Sequence, residues 1–310
     1  MARCLVTGGA GFIGSHIAER LISLGHQVTI FDDFSTGKRS NLDAIKAKVS
    51  IFEASVCNAE AVVAATKNAD YVFHLAAFTS VPGSIENPSL SHKVNSFGTL
   101  NVFSAAKENR IKRVIFSSSS AVYGDSTNLP LSEDAIPKPL SPYGLQKYEG
   151  ETYARLFFEL YSLEAISLRY FNVYGPRQDP NSAYAAVIPK FIKAVKNQER
   201  PKIFGDGTAF RDFIYIDDVV QANILAMDAD RIVCGKCYNI GSGTRTTISD
   251  LVEALGAVFK TRVEPEHGSE RQGDIKCSVA AIEKATHELS FRPEVTLEEG
   301  LARTVAGQIR

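Results

Sequence analysis

Two residues four positions apart, Tyr143 and Lys147, could form an acid–base pair. They lie in the segment SPYGLQKYEGE, where Pro142 is typical of a first helical turn, so the spacing places both side chains on one helical face. An ammonium near a phenol favours the phenolate and draws the tyrosine pKa towards neutrality, which allows proton transfer. In isolation, however, the same spacing is more simply interpreted as an exposed Tyr and Lys on a surface helix.

A glycine-rich segment near the N-terminus favours the acid–base interpretation. VTGGAGFIG places Gly8, Gly11 and Gly14 directly after an apolar run and at the start of a helical pattern. Glycines let the backbone approach a pyrophosphate, which binds at the positive end of the helix. Asp32 ends the next apolar run, where a carboxylate accepts bonds from ribose hydroxyls and repels a 2′-phosphate. We therefore expect NAD, and a base beside its nicotinamide could take a hydroxyl proton. The basic residues that keep NADP open as an alternative are Lys38 and Arg39.

The first half of the chain alternates short apolar runs with amphipathic segments. The runs are nearly continuous in hydrophobicity, as expected of strands covered on both faces. They span residues 3–7, 27–32, 49–53, 71–75, 113–118 and 165–171. Helical patterns cover residues 13–24 and 148–161. This alternation predicts an α/β fold with a Rossmann-type, doubly wound parallel sheet.

After Asn172 the pattern loosens into a loop containing proline and asparagine, a helix near residues 184–196, short strands and a helix-rich end. A chain of 310 residues is close to the upper size for a single hydrophobic core. We predict an NAD-binding Rossmann domain over residues 1–171. Residues 172–310 are predicted to form a smaller α/β substrate lobe, whose elements can interleave with the first domain.

Composition excludes several function classes. The net charge of −1 and the absence of a Lys/Arg block argue against nucleic-acid binding. No apolar run reaches the roughly 20 residues that a membrane helix needs. The sequence MARCLVTGGAG enters a strand at once, so we expect no signal peptide and a cytoplasmic location. Five cysteines fit a reducing compartment. Cys234 and Cys237 have C-x-x-C spacing but run into a predicted strand, and we expect neither redox work nor a metal site.

The order of motifs along almost the whole chain resembles the extended short-chain dehydrogenase/reductase family, and within it the UDP-hexose 4-epimerase type. The motifs are VTGGAGFIG, HLAA, SSSSAVYG, Y-x-x-x-K, LRYFNVYG, FRDFIYIDD and RQGD. The resemblance implies Ser119 as the third catalytic residue beside Tyr143 and Lys147, with its hydroxyl bonding the substrate oxygen that gains and loses the proton. We interpret the neighbouring serines of SSSSAVYG as strand-end residues that satisfy backbone groups.

The resemblance also implies a set of NAD contacts. They are Gly8, Gly11, Phe12, Ile13, Gly14, Asp32, Asp33, Phe34, Ser35, Thr36, Gly37, Ser55, Val56, Leu75, Ala76, Ala77, Thr79, Asn95, Tyr143, Lys147 and Phe171. Ser55 departs from the family pattern, because an Asp usually meets the adenine amine there. We expect the lost contact to loosen NAD.

The residues after Ser119 indicate which reaction to expect. Family members that act as 4,6-dehydratases carry Asp and Glu immediately after the catalytic residue, and UDP-glucuronate decarboxylases tend to keep a Glu there. This chain has Ser120 and Ala121 instead. A 4-epimerase needs no extra acid, so we expect 4-epimerisation of a UDP-hexose through a 4-keto sugar. A decarboxylase, dehydratase or reductase remains the alternative, and a non-catalytic NAD-sensing protein is a more distant one.

The resemblance assigns the nucleotide sugar to the second lobe. The implied substrate contacts are Ser119, Tyr143, Asn172, Ala186, Val187, Lys202, Phe204, Arg211, Arg271, Asp274 and Ser278. The two arginines suit a diphosphate because the guanidinium is a planar fork. Ser278 stands where a bulky aromatic residue would exclude N-acetyl groups, so we expect UDP-N-acetylglucosamine and UDP-N-acetylgalactosamine as substrates besides UDP-glucose and UDP-galactose.

Two further expectations concern helices. Asp217 and Asp218 precede an apolar helical pattern and are predicted to be N-caps rather than catalytic acids. The resemblance implies a homodimer through the helix that follows Tyr143 and a helix over residues 97–107. An apolar stripe on the first of these helices is core, interface or both. It comprises Tyr153, Leu156, Phe157, Leu160 and Tyr161.

Overall fold

The computed structural model describes residues 1–180, 186–269 and 277–307. The strands are β1 (Arg3–Thr7), β2 (Gln27–Asp32), β3 (Val49–Glu53), β4 (Tyr71–His74), β5 (Arg113–Ser119), β6 (Glu164–Tyr170), β7 (Asn172–Tyr174), β8 (Lys202–Phe204), β9 (Phe210–Arg211), β10 (Phe213–Tyr215), β11 (Cys237–Ile240), β12 (Thr246–Thr247) and β13 (Glu266–Gly268). The α-helices are α1 (Phe12–Ser23), α2 (Ala59–Thr66), α3 (Val81–Glu86), α4 (Pro88–His92), α5 (Gly98–Glu108), α6 (Pro142–Tyr161), α7 (Val187–Lys196), α8 (Ile216–Asp228), α9 (Ile248–Phe259), α10 (Glu283–Leu289) and α11 (Leu297–Gly307).

One large parallel sheet organises the N-terminal part of the chain. In the described ranges it has seven strands in the order β11-β6-β5-β4-β1-β2-β3. The strand β1 pairs with β2 on one side and β4 on the other, so the order reverses beside it. Such a switch point leaves a crevice at the carboxyl ends of the strands, where open α/β sheets bind ligands. The predicted Rossmann-type fold is confirmed.

The six predicted strands are all present, and their ends differ from the predictions by at most one residue. Parallel strands covered by helices read as continuous apolar runs, which explains the agreement. For β3 the predicted burial on both faces is wrong. This strand lies at the sheet edge and pairs only with β2 in the described structure, which leaves Ile51 42% exposed. The predicted 148–161 helix is the later part of α6, and the helix predicted near 184–196 is seen as α7 from Val187.

The second lobe contains three two-stranded pairs: β10 with β7, β12 with β9, and β13 with β8. The strand β11 comes from this part of the chain yet completes the large sheet beside β6. Its first residue, Cys237, confirms that the C-x-x-C segment enters a strand. Burial raises the pKa of both Cys234 and Cys237, which disfavours the reactive thiolate. The domain boundary at residue 171 remains a prediction.

The prediction that Asp217 and Asp218 are N-caps is wrong. The strand β10 runs directly into α8, so Tyr215 occupies the N-cap position and both aspartates lie in the first helical turn. Asp218 accepts hydrogen bonds from the amides of Glu294 and Val295 at 2.9 and 3.3 Å, while Asp217 pairs with Arg303. They connect α8 to the C-terminal segment instead of capping the helix.

The helices in the described parts of the chain do not have membrane-spanning character. None of them combines the length and apolarity needed to cross a bilayer. The longest, α6, instead packs against the large sheet.

A glycine allows the helix α6 to pack closely against β5. A Cβ added at Gly150 would lie 2.6 Å from Cε1 of Phe116, whose ring is fully buried. The N-terminus of the same helix is fixed by Ser141, whose hydroxyl accepts a hydrogen bond from the Gly144 amide at 3.1 Å. Gly150 therefore sets the separation between α6 and the sheet.

We predict that Gly150→Ala destabilises the protein even though alanine is the better helix former. Overpacking a core costs about 1–3 kcal/mol, which exceeds the gain of about 1 kcal/mol in helix propensity. Urea denaturation should show a lower free energy of unfolding. As a matched control, Ser104→Ala on the exposed face of α5 should be neutral or slightly stabilising. A stabilised Gly150→Ala protein would contradict this account of the α6 position.

Candidate active site

The three predicted catalytic residues meet at the carboxyl end of β5. Ser119 is the last residue of that strand, and Tyr143 lies in the first turn of α6 with Lys147 one turn further on. The Ser119 hydroxyl lies beside the Tyr143 phenol, whose pKa it lowers, and it accepts the Ala121 amide at 3.2 Å. The structure therefore brings together a hydroxyl, a phenol and an ammonium.

Burial controls the pKa of both titrating groups. It raises the pKa of Tyr143, and the hydrogen bond from Ser119 only partly opposes this. It lowers the pKa of Lys147 to about 8, against the opposing charge of Glu151. The Lys147 ammonium donates to the Ser117 carbonyl at 2.7 Å and lies 5.8 Å from the centroid of the Tyr143 ring. The expected lowering of the Tyr143 pKa is therefore not seen in this structure, because burial raises this pKa more than Ser119 lowers it.

Two of the neighbouring serines also differ from expectation. Ser117 hydrogen-bonds the Tyr170 hydroxyl at 3.1 Å, and Ser118 donates to the Glu151 carboxylate. Both serve buried side chains rather than the backbone groups that we had predicted. The reason is that the β5 end faces the polar residues of α6 and β6.

The glycine-rich loop packs closely against the loop after β4 and presents backbone amides at the start of α1. Gly8 adopts a positive φ of 66°, and a Cβ there would lie 2.7 Å from the Ala76 amide nitrogen. Gly11 occupies the N-cap position of α1, where it has no side chain with which to cap the helix. Phe12, Ile13 and Gly14 follow in the first turn, whose amides lack intrahelical acceptors. This arrangement suits the pyrophosphate of a dinucleotide.

The second strand presents the expected carboxylate. Asp32 is 7% exposed and accepts the amides of Ala10 and Phe34, each at 2.8 Å. Burial raises the pKa of Asp32, whereas these amides stabilise its ionised form. The turn after it is held by Asp33, which accepts both the amide and the hydroxyl of Ser35. The segment continues through Thr36 and Gly37, and a Cβ at Gly37 would lie 2.8 Å from the Asp32 carboxylate. An adenosine ribose fits such an acidic rim.

The two basic residues that kept NADP open are already paired with carboxylates. Lys38 donates to Asp179 at 2.7 Å. Arg39 pairs with Glu53 and lies 4.0 Å above the centroid of the Phe34 ring. The Lys38 ammonium and the Arg39 guanidinium therefore already have carboxylate partners and are not positioned to bind a 2′-phosphate, which favours NAD over NADP.

The remaining predicted NAD residues line the carboxyl edge of the sheet. The amides of Leu75 and Ala76 donate to the Thr7 hydroxyl at 3.2 Å each. Asn95 holds the loop after β4 by accepting the Phe78 amide at 2.7 Å. The others occupy the loops after β3, β4 and β6: Ser55, Val56, Ala77, Thr79 and Phe171. Gln146 was not predicted from the sequence as a residue that holds Asn95. Its side-chain oxygen accepts a hydrogen bond from the Asn95 amide group at 2.8 Å. The position of Gln146 between Tyr143 and Lys147 was the available signal.

On the substrate side, three predicted residues gather around β9. Arg211 ends this strand, and the Ser278 amide donates to the Phe210 carbonyl at 3.2 Å. The amide and the side chain of Asn172 both donate to the Asp212 carbonyl, at 3.0 and 3.1 Å. The structure places the other described candidates at the start of α7 and the two ends of β8: Ala186, Val187, Lys202 and Phe204. Arg271 and Asp274 lie outside the described residues.

A family model described as "NAD dependent epimerase/dehydratase family" matches residues 4–241. The chain belongs to this family. The dinucleotide cradle and the Ser119–Tyr143–Lys147 cluster all fall inside the matched range. NAD is therefore the cofactor of this protein. This agrees with the glycine loop, which suits the pyrophosphate of NAD, and with Asp32, which suits its ribose.

Three relatives indicate the range of chemistry within the epimerase/dehydratase family. The structure of UDP-N-acetylglucosamine 4-epimerase from Methanobrevibacter ruminantium M1, in complex with UDP-N-acetylmuramic acid, is 45% identical, with a TM-score of 0.95 and coverage of 99% of this chain and 98% of that one. UDP-glucose 4-epimerase of Mycolicibacterium smegmatis is 37% identical over 98% of this chain and 97% of its own. UDP-N-acetyl-alpha-D-glucosaminuronate decarboxylase of Bacillus cytotoxicus is 36% identical over 98% of this chain and 96% of its own.

A buried histidine links the cofactor loop to the helical layer. The His74 ring bonds Thr7 through Nδ1 at 2.8 Å and Thr99 of α5 through Nε2 at 3.0 Å. Thr7 in turn accepts the amides of Leu75 and Ala76. Burial, aided by the charge of Lys147, lowers the pKa of His74 to about 3. The imidazole therefore stays neutral and acts as a hydrogen-bond bridge.

We predict that His74 contributes to acid sensitivity. Its pKa is lower when folded, so the unfolded chain binds the extra proton. The resulting stability is complete above pH 6.5 and is lost as pH falls from there towards about 3, by up to about 1.4 kcal/mol per pH unit. In denaturation curves between pH 7 and 4, His74→Gln should show a shallower decline than wild type. His92→Gln, on the exposed surface, should retain the wild-type slope. Equal slopes for all three proteins would contradict the prediction.

Proposed function

We propose that this protein is a UDP-hexose 4-epimerase that acts on UDP-N-acetylglucosamine and UDP-N-acetylgalactosamine as well as UDP-glucose and UDP-galactose. The observation that carries the proposal is the adjacent Ser119–Tyr143 pair, followed in the sequence by Ser120 and Ala121, which carry no acid. Such a site can move a hydroxyl proton reversibly, and it lacks an acid at the positions where an elimination would place one.

The proton chemistry follows from the two hydroxyls. Ser119 positions the sugar C4 hydroxyl against Tyr143, and the phenolate oxygen of Tyr143 takes the hydroxyl proton as the C4–O bond becomes a carbonyl. Bound NAD supplies the acceptor, and later the donor, of the C4 hydride. The 4-keto sugar then turns over and presents the opposite face of C4 for reduction, and Tyr143 returns the proton to the C4 oxygen. The buried Lys147 ammonium stabilises the phenolate form of Tyr143 during each transfer.

The decarboxylase and dehydratase alternatives are less well supported. Both belong to the family, and one 36% identical relative is named as a decarboxylase. Dehydration requires removal of a C5 proton and protonation of a leaving hydroxyl, for which an acid at position 120 or 121 would be expected. A Cβ at Gly144 would lie 2.6 Å from the Ala121 carbonyl, so α6 packs directly on the backbone of this segment.

The nucleotide contacts belong to the same proposal. Arg211 and Arg271 receive the diphosphate through bidentate hydrogen bonds, and Asn172 contacts the substrate nearby. The uracil lies between the start of α7 and β8, and the residues assigned to it are Ala186, Val187, Lys202 and Phe204. Asp274 and Ser278 line the hexose. On the cofactor side, the contacts are the residues of the glycine loop, the Asp32 segment and the loops after β3, β4 and β6.

We also assign a homodimer to the faces of α5 and α6. Phe97, Leu145, Leu160 and Tyr161 are large apolar side chains that are exposed on or beside these helices. Phe157, in contrast, is buried, so the apolar stripe of α6 serves the core on one side and the interface on the other. We place the protein in the cytoplasm, in keeping with its free cysteines.

Replacement of Tyr143 tests the proton-transfer role. Tyr143→Phe should lower the rate of C4 inversion by about 10²- to 10⁴-fold, the contribution of a positioned acid–base group, with an unchanged melting temperature. The exposed Tyr148→Phe on the same helix is the matched control and should retain activity. The assay is NMR of UDP-hexose mixtures with and without added NAD. Products that lose carbon dioxide or water, or full activity of Tyr143→Phe, would overturn the proposal.

Replacement of Ser278 tests the sugar preference. This residue is buried, so a tyrosine there must project into the space beside it. Ser278→Tyr should abolish turnover of UDP-N-acetylglucosamine while retaining UDP-galactose, and Ser278→Ala should retain both. Steady-state rates on the two substrates provide the measurement. An equal loss on both sugars in Ser278→Tyr would contradict the steric argument.

A further inference from the structure

Asp212 lies between the substrate candidates, and its carboxylate is completely buried. It receives four hydrogen bonds from the described part of the chain. One oxygen accepts the amide and the hydroxyl of Ser242, at 2.6 and 2.7 Å. The other accepts the amides of Gly243 and Ala280, each at 3.0 Å. The carboxylate therefore joins three segments that are distant in the sequence.

These segments carry residues of the proposed substrate site. Asp212 is bonded through the peptide chain to Arg211, and its carbonyl accepts both hydrogen bonds from Asn172. Ala280 lies two residues after Ser278, so the Asp212 carboxylate restrains the strand-like segment on which Ser278 sits. Three candidates that meet three different parts of the nucleotide sugar thus depend on one aspartate.

The arrangement requires an ionised carboxylate specifically. Four donors converge on two oxygens, and an amide in this position would offer one oxygen and direct its own NH₂ group at other donors. Burial raises the pKa of Asp212, whereas the four hydrogen bonds stabilise the charge. Gly241 allows the close approach, because a Cβ there would lie 2.6 Å from the carboxylate.

We propose that Asp212 is a positioning residue for the UDP-sugar, which aligns Arg211, Asn172 and Ser278 through its carboxylate and carbonyl without touching the substrate. This inference rests on the proposed function. It predicts an effect on substrate binding that is separable from proton transfer, because Ser119, Tyr143 and Lys147 belong to β5 and α6 and lie outside the Asp212 cluster.

The same lobe contains a matched control. Asp218 is also a buried aspartate whose carboxylate accepts backbone amides, here those of Glu294 and Val295. Burial raises the pKa of Asp218 as well. Its partners lead to α11 rather than to any substrate candidate. A general loss of stability should therefore appear in both Asp→Asn variants, whereas a loss of substrate alignment should appear only in Asp212→Asn.

The experiment compares wild type, Asp212→Asn, Asp218→Asn and Ser242→Ala, each as the full-length NAD-bound enzyme. Calorimetry with UDP measures nucleotide binding, and initial rates with UDP-N-acetylglucosamine give KM and kcat. For Asp212→Asn we expect the UDP Kd and the KM to rise by about 10- to 100-fold, the effect of losing hydrogen bonds to a charge, with kcat and the NAD Kd little changed. Asp218→Asn should keep the wild-type KM and UDP Kd.

Ser242→Ala retains the aspartate and removes one hydroxyl donor, so it reports on the cluster even if Asp212→Asn does not fold. It should raise KM by about threefold to tenfold. The role of Asp212 would be overturned if Ser242→Ala has an unchanged KM and Asp212→Asn also has an unchanged KM. It would equally be overturned if Ser242→Ala has an unchanged KM and Asp212→Asn does not fold. An equal rise in KM in Asp218→Asn would also overturn it. A wild-type enzyme that neither binds UDP nor inverts UDP-hexoses would instead overturn the proposed function.

Discussion

The buried ion pair between Glu151 of α6 and Arg169 of β6 fixes the catalytic helix to the sheet. The guanidinium meets the carboxylate through two hydrogen bonds of 2.8 and 2.7 Å, and both side chains are almost completely buried. Desolvating two charges is costly, so such a pair is tolerated where its geometry is bidentate and its remaining groups are satisfied. Ser118 of β5 also donates a hydrogen bond to Glu151, so the ion pair holds β5 as well as α6 and β6. The position of Lys147, one turn earlier on α6, follows from this anchor.

The same ion pair connects the sheet to the second lobe. Arg169 also donates to the Tyr123 hydroxyl at 2.8 Å, which donates to the Asn239 side chain at 2.7 Å. Asn239 lies in β11 and donates in turn to the carbonyls of Leu131 and Ala281. Ala281 follows the segment that Asp212 restrains. A chain of buried hydrogen bonds therefore runs from the helix that carries Tyr143 and Lys147 to the segment that follows Ser278.

Local patterns in the sequence predicted most of the fold and the identity of the acid–base cluster. The buried parallel strands were continuous apolar runs, and Tyr143 and Lys147 had helical spacing. Properties that depend on tertiary environment could not be predicted in this way. The exposure of β3 depends on its edge position, and the raised pKa of Tyr143 depends on its desolvation in the folded protein. The partners of Asp212 and Asp218 lie far away in the sequence, so nothing next to these aspartates indicated their roles.

The pKa values of the active site bear on the direction of the proposed reaction. A phenol whose pKa is raised by burial is neutral at rest, and an amine with a pKa of about 8 is mostly charged at neutral pH. Accepting a proton therefore requires that Tyr143 first be stabilised as the phenolate by the nearby positive charge. Taking the sugar proton converts this phenolate to the phenol, and returning the proton leaves the phenolate again. Epimerisation begins and ends with a sugar hydroxyl, so each cycle regenerates the same protonation state without exchange with solvent. A burial-dominated site is suited to a reversible transfer of this kind, whereas an elimination would require a second acid–base group to protonate the leaving hydroxyl.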